Sequence, residues 1–188
     1  MARPATKRDD IIRVARRLFA QRGVKATTVR DIAQAAGVTE GALYRHFASK
    51  EDLARFLFAG GAELFYEFLE HAAAEATDAA QRLRLLVAGF FEFAEANAEV
   101  FGFVMSQHYE GVGAVPGTHR LPKALFVETL QASMAEGKLR PMEPELGAAL
   151  VIGMCVQSIF FHQRGLIERS AEEVRSEVCA AVDRVFAL

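Results

Sequence analysis

The chain has 188 residues, of which 52% are hydrophobic and 24% charged, and its formal net charge at pH 7 is −2. This length and apolar content suit a soluble, globular protein of one substantial domain or two small ones, and they exclude a chain too polar to build a core. With only 5 prolines and no alternating strand-like run, an all-α fold is predicted. The N-terminus lacks the pattern of a secretory signal, so the cytoplasm is the expected location.

The charges are distributed unevenly along the chain. Residues 1–52 carry 11 Lys and Arg against 6 Asp and Glu, whereas residues 53–188 carry 11 against 18. A basic N-terminal part suits a polyanionic partner, and an acidic remainder is repelled by that partner. Small terminal domains are often basic by chance, so the charge pattern favours a nucleic-acid partner only modestly.

Three helices are predicted in residues 1–48. Apolar residues at helical spacing predict the first from about Thr6 to Arg22, where Gly23 ends it. A Thr-x-x-Asp start at Thr28 predicts a second helix, and the third is expected from Thr39 to about Phe47. Gly37 between them supplies the left-handed backbone of a tight turn. The segment is therefore predicted to be a helix-turn-helix within a three-helix DNA-binding head.

The same segment matches a known pattern. The run from Thr28 to Leu53, TVRDIAQAAGVTEGALYRHFASKEDL, resembles the DNA-binding signature of the TetR family of bacterial repressors, without a gap or a departure. The resemblance covers only the N-terminal part of the chain. It implies that double-stranded DNA is the partner and that the last two long helices form a homodimer, whose two heads read a palindromic operator.

Exposed polar residues of this segment are the candidate DNA contacts. Arg30 and Arg45 are the side chains best able to donate to guanine, and Glu40 can accept from a cytosine amino group. Two small residues allow close approach, namely Gly41 and Ala42, of which the second can touch a thymine methyl group. By the family pattern, phosphate contacts are assigned to Thr28, Thr39, Tyr44, His46 and Lys50. Packing of the turn is the alternative role for Tyr44 and His46.

A long helix is predicted to begin at Ser49 and to run to about Ala76. Gly60 and Gly61 are adjacent inside it, where each costs about 1 kcal/mol relative to Ala. We expect them to allow close approach of another helix. A soft hinge between head and body is the alternative.

The rest of the chain, residues 49–188, is predicted to be a helical bundle for ligand binding and dimerisation. After the long helix, helices are expected over Ala79–Ala96, Val100–Tyr109, Pro122–Glu136, Pro144–Arg164 and Ser170–Leu188. The segment Leu146–Gln163 has no formal charge, but its length and its polar residues favour a buried, partner-facing helix over a membrane span. No membrane partner is therefore expected. The wide apolar faces of the last two helices predict a four-helix bundle between two copies.

An apolar small molecule is the predicted effector, because 15 phenylalanines are combined with few interior polar groups. The candidate ligand contacts are Phe90, Phe101, Met105, His108, Tyr109, Met154, Gln157 and Phe161. The polar members His108, Tyr109 and Gln157 would orient the ligand. Ordinary core packing is the simpler role for any single one of these residues.

Neither a metal nor a cofactor is expected. The five histidines form no HxxxH or HExxH pair, and Cys155 and Cys179 have no metal-ligand spacing. We interpret both cysteines as reduced thiols, with a redox sensor as the alternative.

The function that these patterns favour is a ligand-responsive, sequence-specific transcriptional regulator. In the predicted mechanism, a repressor leaves its operator when the effector favours a head spacing that does not fit the DNA. One alternative is an architectural protein that binds DNA without sequence preference. The other is a small helical enzyme, which is disfavoured because the chain has no nucleophile elbow, dinucleotide fingerprint, P-loop or zincin motif.

Overall fold

A computed structural model describes residues 6–109 and 120–186, without the side chains of residues 107–109. Across these residues the secondary structure is helical, and no strand is present. The helices are α1 (Lys7–Ala26), α2 (Val29–Ala36), α3 (Glu40–Tyr44), α4 (Lys50–Ala72), α5 (Ala79–Ala96), α6 (Ala98–Tyr109), α7 (Pro122–Ala135), α8 (Pro144–Gln163) and α9 (Ala171–Phe186). The predicted all-α class is confirmed.

The chain forms two compact units. The head unit comprises Met1–Ala62 and Ala98–His119, and the body unit comprises Glu63–Asn97 and Arg120–Leu188. Helix α4 contributes its first half to the head unit and its second half to the body unit. The sequence predicted a DNA-binding part, residues 1–48, and a part for ligand binding and dimerisation, residues 49–188. That is a division by function, and it stays a prediction.

The head unit is organised around α1, which packs against α2 and α6. Thr6 and Asp9 form a capping box that begins α1, because each side chain accepts from the other residue's backbone N–H group. Ile11, Ala15 and Phe19 are buried, and the Phe19 ring lies 5.9 Å from that of Phe103 on α6. The predicted helix end at Gly23 is visible as a kink, with φ 77° at this residue, after which one further turn leads to Ala26.

The two glycines of α4 differ in their surroundings. A Cβ atom on Gly61 would lie 2.8 Å from Val104 Cγ2 and 3.2 Å from Val100 Cγ1, so α6 approaches α4 closely there. Within residues 6–109 and 120–186, a Cβ atom on Gly60 would meet nothing within 4 Å. The close-packing interpretation is therefore confirmed for Gly61 and does not explain Gly60.

Alanine at these two positions is expected to have opposite effects. Gly60→Ala should stabilise the fold by about 1 kcal/mol, because it improves helix propensity at an exposed site. Gly61→Ala should destabilise it by about 1–2 kcal/mol net, since the added methyl group overlaps Val104. Urea denaturation of both variants gives the two values, and equal stabilisation would contradict the close packing at Gly61.

The body unit has an aromatic centre between α4, α5 and α7. The Phe65 ring lies 4.9 Å from Phe90 and 4.2 Å from Phe93, and Phe90 in turn lies 6.1 Å from Phe126. Rings at these distances contribute about 0.5–1.5 kcal/mol per pair beyond the area that they bury. They fix α5 as the middle helix of this unit.

Helix α9 is attached to α5 by two ion pairs. Arg84 Nε lies 2.9 Å from a carboxylate oxygen of Asp183, and Arg175 Nη1 lies 2.9 Å from Glu92 Oε1. Such exposed pairs contribute only about 0–1 kcal/mol each, so their main effect is on the orientation of α9.

Helix α8 packs on one side and is exposed on the other. Val151, Cys155 and Ile159 are buried, and the helix contacts α5, α7 and α9. Within the described residues, α8 is the one helix that is long and apolar enough to span a membrane by length and composition. A core helix of a soluble protein meets the same criterion, and the contacts of α8 are those of a bundle helix.

Candidate functional site

The helix-turn-helix begins with a closed cap at α2. The Thr28 hydroxyl donates to Asp31 Oδ2 at 2.7 Å, and Asp31 N donates back to the hydroxyl at 3.1 Å. The Thr28 backbone N–H also donates to Asp31 Oδ2, at 2.9 Å. These bonds to Thr28 hold the pKa of Asp31 below its ordinary value. The single proton of the Thr28 hydroxyl is therefore already used inside the chain.

The cap of α3 is open by comparison. Thr39 Oγ1 accepts from Ala42 N at 3.2 Å, but the residue at this third helical position is alanine, which has no carboxylate to accept the hydroxyl proton. In residues 6–109 and 120–186 no acceptor binds that proton. A threonine hydroxyl can accept and donate at the same time, so Thr39 can cap α3 and donate to a phosphate together.

Between the two caps, the chain separates a buried side from an exposed side. Ile32, Ala33, Leu43 and Phe47 are buried, and Gly37 ends α2 in the predicted left-handed conformation with φ 64°. Helix α3 is shorter than predicted, because it ends at Tyr44 and continues only as a turn to Phe47.

The predicted base-reading and phosphate-binding residues lie mostly on the exposed side. Tyr44 is 51% exposed in spite of its size. The other exposed members are Thr28, Arg30, Thr39, Glu40, Gly41, Arg45 and His46, whereas Ala42 and Lys50 are half-buried. The residues predicted to contact bases and those predicted to contact phosphates thus surround a helix that is short enough to enter a major groove. Contacts of individual residues with DNA stay predictions.

Lys50 has partners that the sequence did not indicate. Its Nζ atom donates to the main-chain oxygens of Val24 at 2.8 Å and Thr27 at 3.0 Å. A phosphate contact for Lys50 stays a prediction, and it would have to use the third donor of the ammonium group. One signal was available, since a lysine at the first position of a helix is unfavourable for the helix dipole unless another group binds it.

Arg8 is a second cation in the head unit with a structural partner. Its guanidinium carbon lies 5.4 Å from the centre of the Phe47 ring and 4.7 Å from that of Phe56. Cation–π contacts of this kind contribute about 0.5–1 kcal/mol at exposed sites. They attach the first turn of α1 to the residues that follow α3.

The predicted ligand contacts lie in different parts of the molecule. Phe101 and Met105 are buried in the head unit, and Phe90 is buried in the body unit. Met154 is half-buried, whereas Gln157 and Phe161 are exposed on α8. The side chains of His108 and Tyr109 lie outside the described residues. The ligand-binding role of all eight stays a prediction.

Two buried hydroxyl groups on α7 were not predicted from the sequence. Thr129 and Ser133 on α7 are 2% and 0% exposed, and neither hydroxyl has a hydrogen-bond partner among the described residues. They are four residues apart and therefore lie on one face of the helix, which packs against α5 and α8. A buried hydroxyl without a partner costs about 1–3 kcal/mol. The signal was a Thr and a Ser four residues apart, on the helix face that also carries the apolar residues Phe126 and Leu130.

Both cysteine thiols are in surroundings that disfavour the thiolate. Burial raises the pKa of Cys155 and that of Cys179 above the ordinary thiol value. This agrees with the interpretation as reduced thiols. Within the described part of the chain, no three His, Cys, Asp or Glu side chains are grouped as a metal site would require.

The comparison with known proteins agrees with this geometry. Residues 11–56 match the sequence profile described as "Bacterial regulatory proteins, tetR family". The HTH-type transcriptional repressor KstR2 of Rhodococcus jostii is 37% identical to this chain over 142 residues, which cover 71% of this chain and 68% of the relative.

Two solved structures share the fold. That of the ketosteroid transcriptional regulator KstR2 of Mycobacterium tuberculosis has a TM-score of 0.75 at 24% identity, over 99% of this chain and 97% of that one. AibR in complex with isovaleryl coenzyme A and operator DNA has a TM-score of 0.76 at 20% identity, over 94% of this chain and 98% of that one. The chain belongs to the TetR family of bacterial regulatory proteins, and it is a DNA-binding transcriptional regulator rather than an enzyme.

Proposed function

We propose that the chain is a cytoplasmic homodimeric repressor that leaves a palindromic operator when it binds an apolar small molecule. The observation that carries the proposal is the exposed polar surface around α3, held on the buried scaffold of Ile32, Leu43 and Phe47. A rigid support for exposed donors is what recognition of base edges requires.

On this surface we assign the base contacts to Arg30, Glu40 and Arg45, with Gly41 and Ala42 allowing close approach. Tyr44 and His46 bind phosphates from exposed positions, and Thr39 adds its free hydroxyl donor. Thr28 contributes the closed cap of α2 instead, because Asp31 already holds its proton. Phosphate contacts set the register, and the base contacts supply specificity.

Valine at the two capping threonines is expected to separate these roles. Both variants lose a helix cap, which costs about 1 kcal/mol of stability each. Thr39→Val should in addition weaken binding to every DNA sequence by about fivefold, because it removes a hydrogen bond to phosphate. Fluorescence anisotropy with a labelled duplex measures the difference. Equal weakening by Thr28→Val would show that the cap, and not the free donor of Thr39, controls binding.

The second copy is proposed to bind the exposed side of α8. Leu146, Leu150 and Phe161 are 53%, 42% and 43% exposed and lie on one face of this helix. Gly153 lies between them, and a Cβ atom there would meet none of the described residues within 4 Å. On the exposed apolar face of α8, we attribute this glycine to close approach of a partner helix. On α9, which packs against α8, Val185 is a further exposed apolar residue, at 40% exposure.

The effector is proposed to be mainly apolar with one polar group. The aromatic residues around Phe90 supply apolar surface, and the hydroxyls of Thr129 and Ser133 are available to a carbonyl or hydroxyl oxygen. A steroid ketone has this chemistry, and so has the acyl end of an acyl-coenzyme A, whose coenzyme A part is charged; KstR2 is a ketosteroid transcriptional regulator, and AibR binds isovaleryl coenzyme A. The effector acts only if it binds the released form of the dimer more tightly than the operator-bound form.

Selection from a random duplex library tests the proposal. The wild-type chain should select a palindromic sequence and prefer it to a scrambled duplex by roughly 10³-fold or more at physiological salt. A preference close to one, with strong salt dependence, would identify a non-specific architectural protein instead. An absence of any salt-sensitive DNA binding would contradict the DNA-binding role itself.

A further inference from the structure

We propose that Lys50 is a positioning residue that closes the helix-turn-helix at its two ends. Lys50 is the first residue of α4, shortly after the end of α3. Its ammonium group donates to Val24 O and Thr27 O, which lie shortly before the start of α2. One side chain thus joins the residues that precede Thr28 to those that follow Phe47. The consequence for operator recognition rests on the proposed function, whereas the structural closure does not.

The two acceptors are suited to a cation. They are main-chain oxygens of the turn that follows the kink at Gly23, and each carbonyl oxygen has two lone pairs, so Val24 O can accept from the ammonium group as well as from Thr27 N at 3.3 Å. The turn between α1 and α2 is held in place by a further bond, because the buried Thr27 hydroxyl donates to Gly23 O at 2.8 Å. An ammonium group that binds two such oxygens therefore attaches α4 to a fixed point on the other side of the segment.

The position of Lys50 in its own helix supports this role. As the first residue of α4, its charge is repelled by the positive end of the helix dipole, and Glu51 and Asp52 are the residues that favour that end. The bonds to Val24 and Thr27 offset this repulsion, since hydrogen bonds from a charged donor are about twice as strong as neutral ones. A lysine at the first position of α4 that contacted only water would have no bonds to offset this repulsion.

Closure at this point affects the residues that read DNA. Between the two joined ends lie α2 and α3, with Arg30, Glu40 and Arg45. Without the Lys50 bonds, the segment keeps its apolar contacts and the contacts of Arg8 with Phe47 and Phe56, but the angle between α2 and α4 has more freedom. A phosphate contact has a different signature, because it would add affinity for every sequence and would release a counterion.

Lys50→Met tests the inference, since methionine keeps much of the length of lysine and removes the ammonium group. Lys7→Met is the matched control, because Lys7 is an exposed lysine of the same head unit. In the free protein, amide hydrogen exchange in α2 and α3 should become about tenfold faster in Lys50→Met and stay unchanged in Lys7→Met. Lys50→Arg, which keeps charged donors, should restore slow exchange at least in part.

DNA binding supplies the second readout, with the duplex that the wild type selects from a random library as the probe. In Lys50→Met the preference for this duplex over a scrambled one should fall about tenfold, while the salt slope with the scrambled duplex stays unchanged. A slope lower by about one, with unchanged exchange, would reassign Lys50 to a phosphate and overturn the inference. Faster exchange with an unchanged preference would also overturn it, because Lys50 would then stabilise the head without positioning it. If the wild type selects no duplex, the proposed function fails, and the exchange experiment still decides whether Lys50 closes the segment.

Discussion

Leu150→Asp is expected to convert the protein to a monomer and to lower its affinity for the operator by about 10²–10⁴-fold. Leu150 is 42% exposed on the apolar face of α8, next to the open Gly153. In a dimer this position would be buried against the second copy, and an unpaired carboxylate buried there is strongly unfavourable. The loss of affinity follows because two linked heads bind the second half-site as an intramolecular event, which a monomer cannot do.

Sedimentation velocity gives the oligomeric state, and anisotropy with a full and a half operator gives the affinities. The monomer should bind the half operator as tightly as the wild type does, because α2 and α3 are unchanged. Gln131→Asp is the matched control, since it adds the same charge at an exposed position of α7. A Leu150→Asp variant that remains dimeric would show that the copies meet at another surface, and a monomeric wild type would contradict the homodimer.

The geometry of the helix-turn-helix could be predicted because its signals are local. The cap of α2 depends on Thr28 and Asp31, three residues apart, and the turn depends on the single backbone conformation of Gly37. The difference between the two caps was also visible in the sequence, as Ala42 stands where α2 has Asp31. The resemblance to the family pattern assigned both threonines to phosphate and so concealed this difference.

The remaining features required tertiary contacts that no local pattern contains. Lys50 donates to the main-chain oxygens of Thr27 and Val24, which lie 23 and 26 positions earlier in the chain. Gly60 and Gly61 are identical in sequence terms, and only the position of α6 distinguishes the packed glycine from the open one. Likewise, helical spacing showed that α8 is apolar, but not that Gln157 and Phe161 lie on its exposed side. Sequence thus predicts elements and caps well, and it predicts partners across the fold poorly.

Removal of the two buried hydroxyls of α7 is expected to stabilise the free protein and to weaken its response to the effector. Thr129→Val and Ser133→Ala each delete a polar group that has no partner in the part of the chain that the structure describes, with little change of shape. A gain of about 1 kcal/mol per site corresponds to about 2–4 °C in Tm for a chain of this size, so the double variant should gain roughly 4–8 °C. Ser106→Ala is the control, because the Ser106 hydroxyl donates to Phe103 O at 2.8 Å and its loss should bring no gain.

The same double variant tests the effector site. If Thr129 and Ser133 bind an oxygen of the effector, the concentration of a steroid ketone or an acyl-coenzyme A needed to release the operator should rise about tenfold. Operator affinity without effector should stay unchanged, since both residues lie in the body unit. A lower Tm would mean that the hydroxyls find partners in solution, and unchanged release at a raised Tm would mean that they are buried without binding the effector. The cost of the two buried hydroxyls to stability is best explained by a role of Thr129 and Ser133 in binding the effector. This explanation requires that the double variant has a higher Tm and that the effector releases the operator less readily.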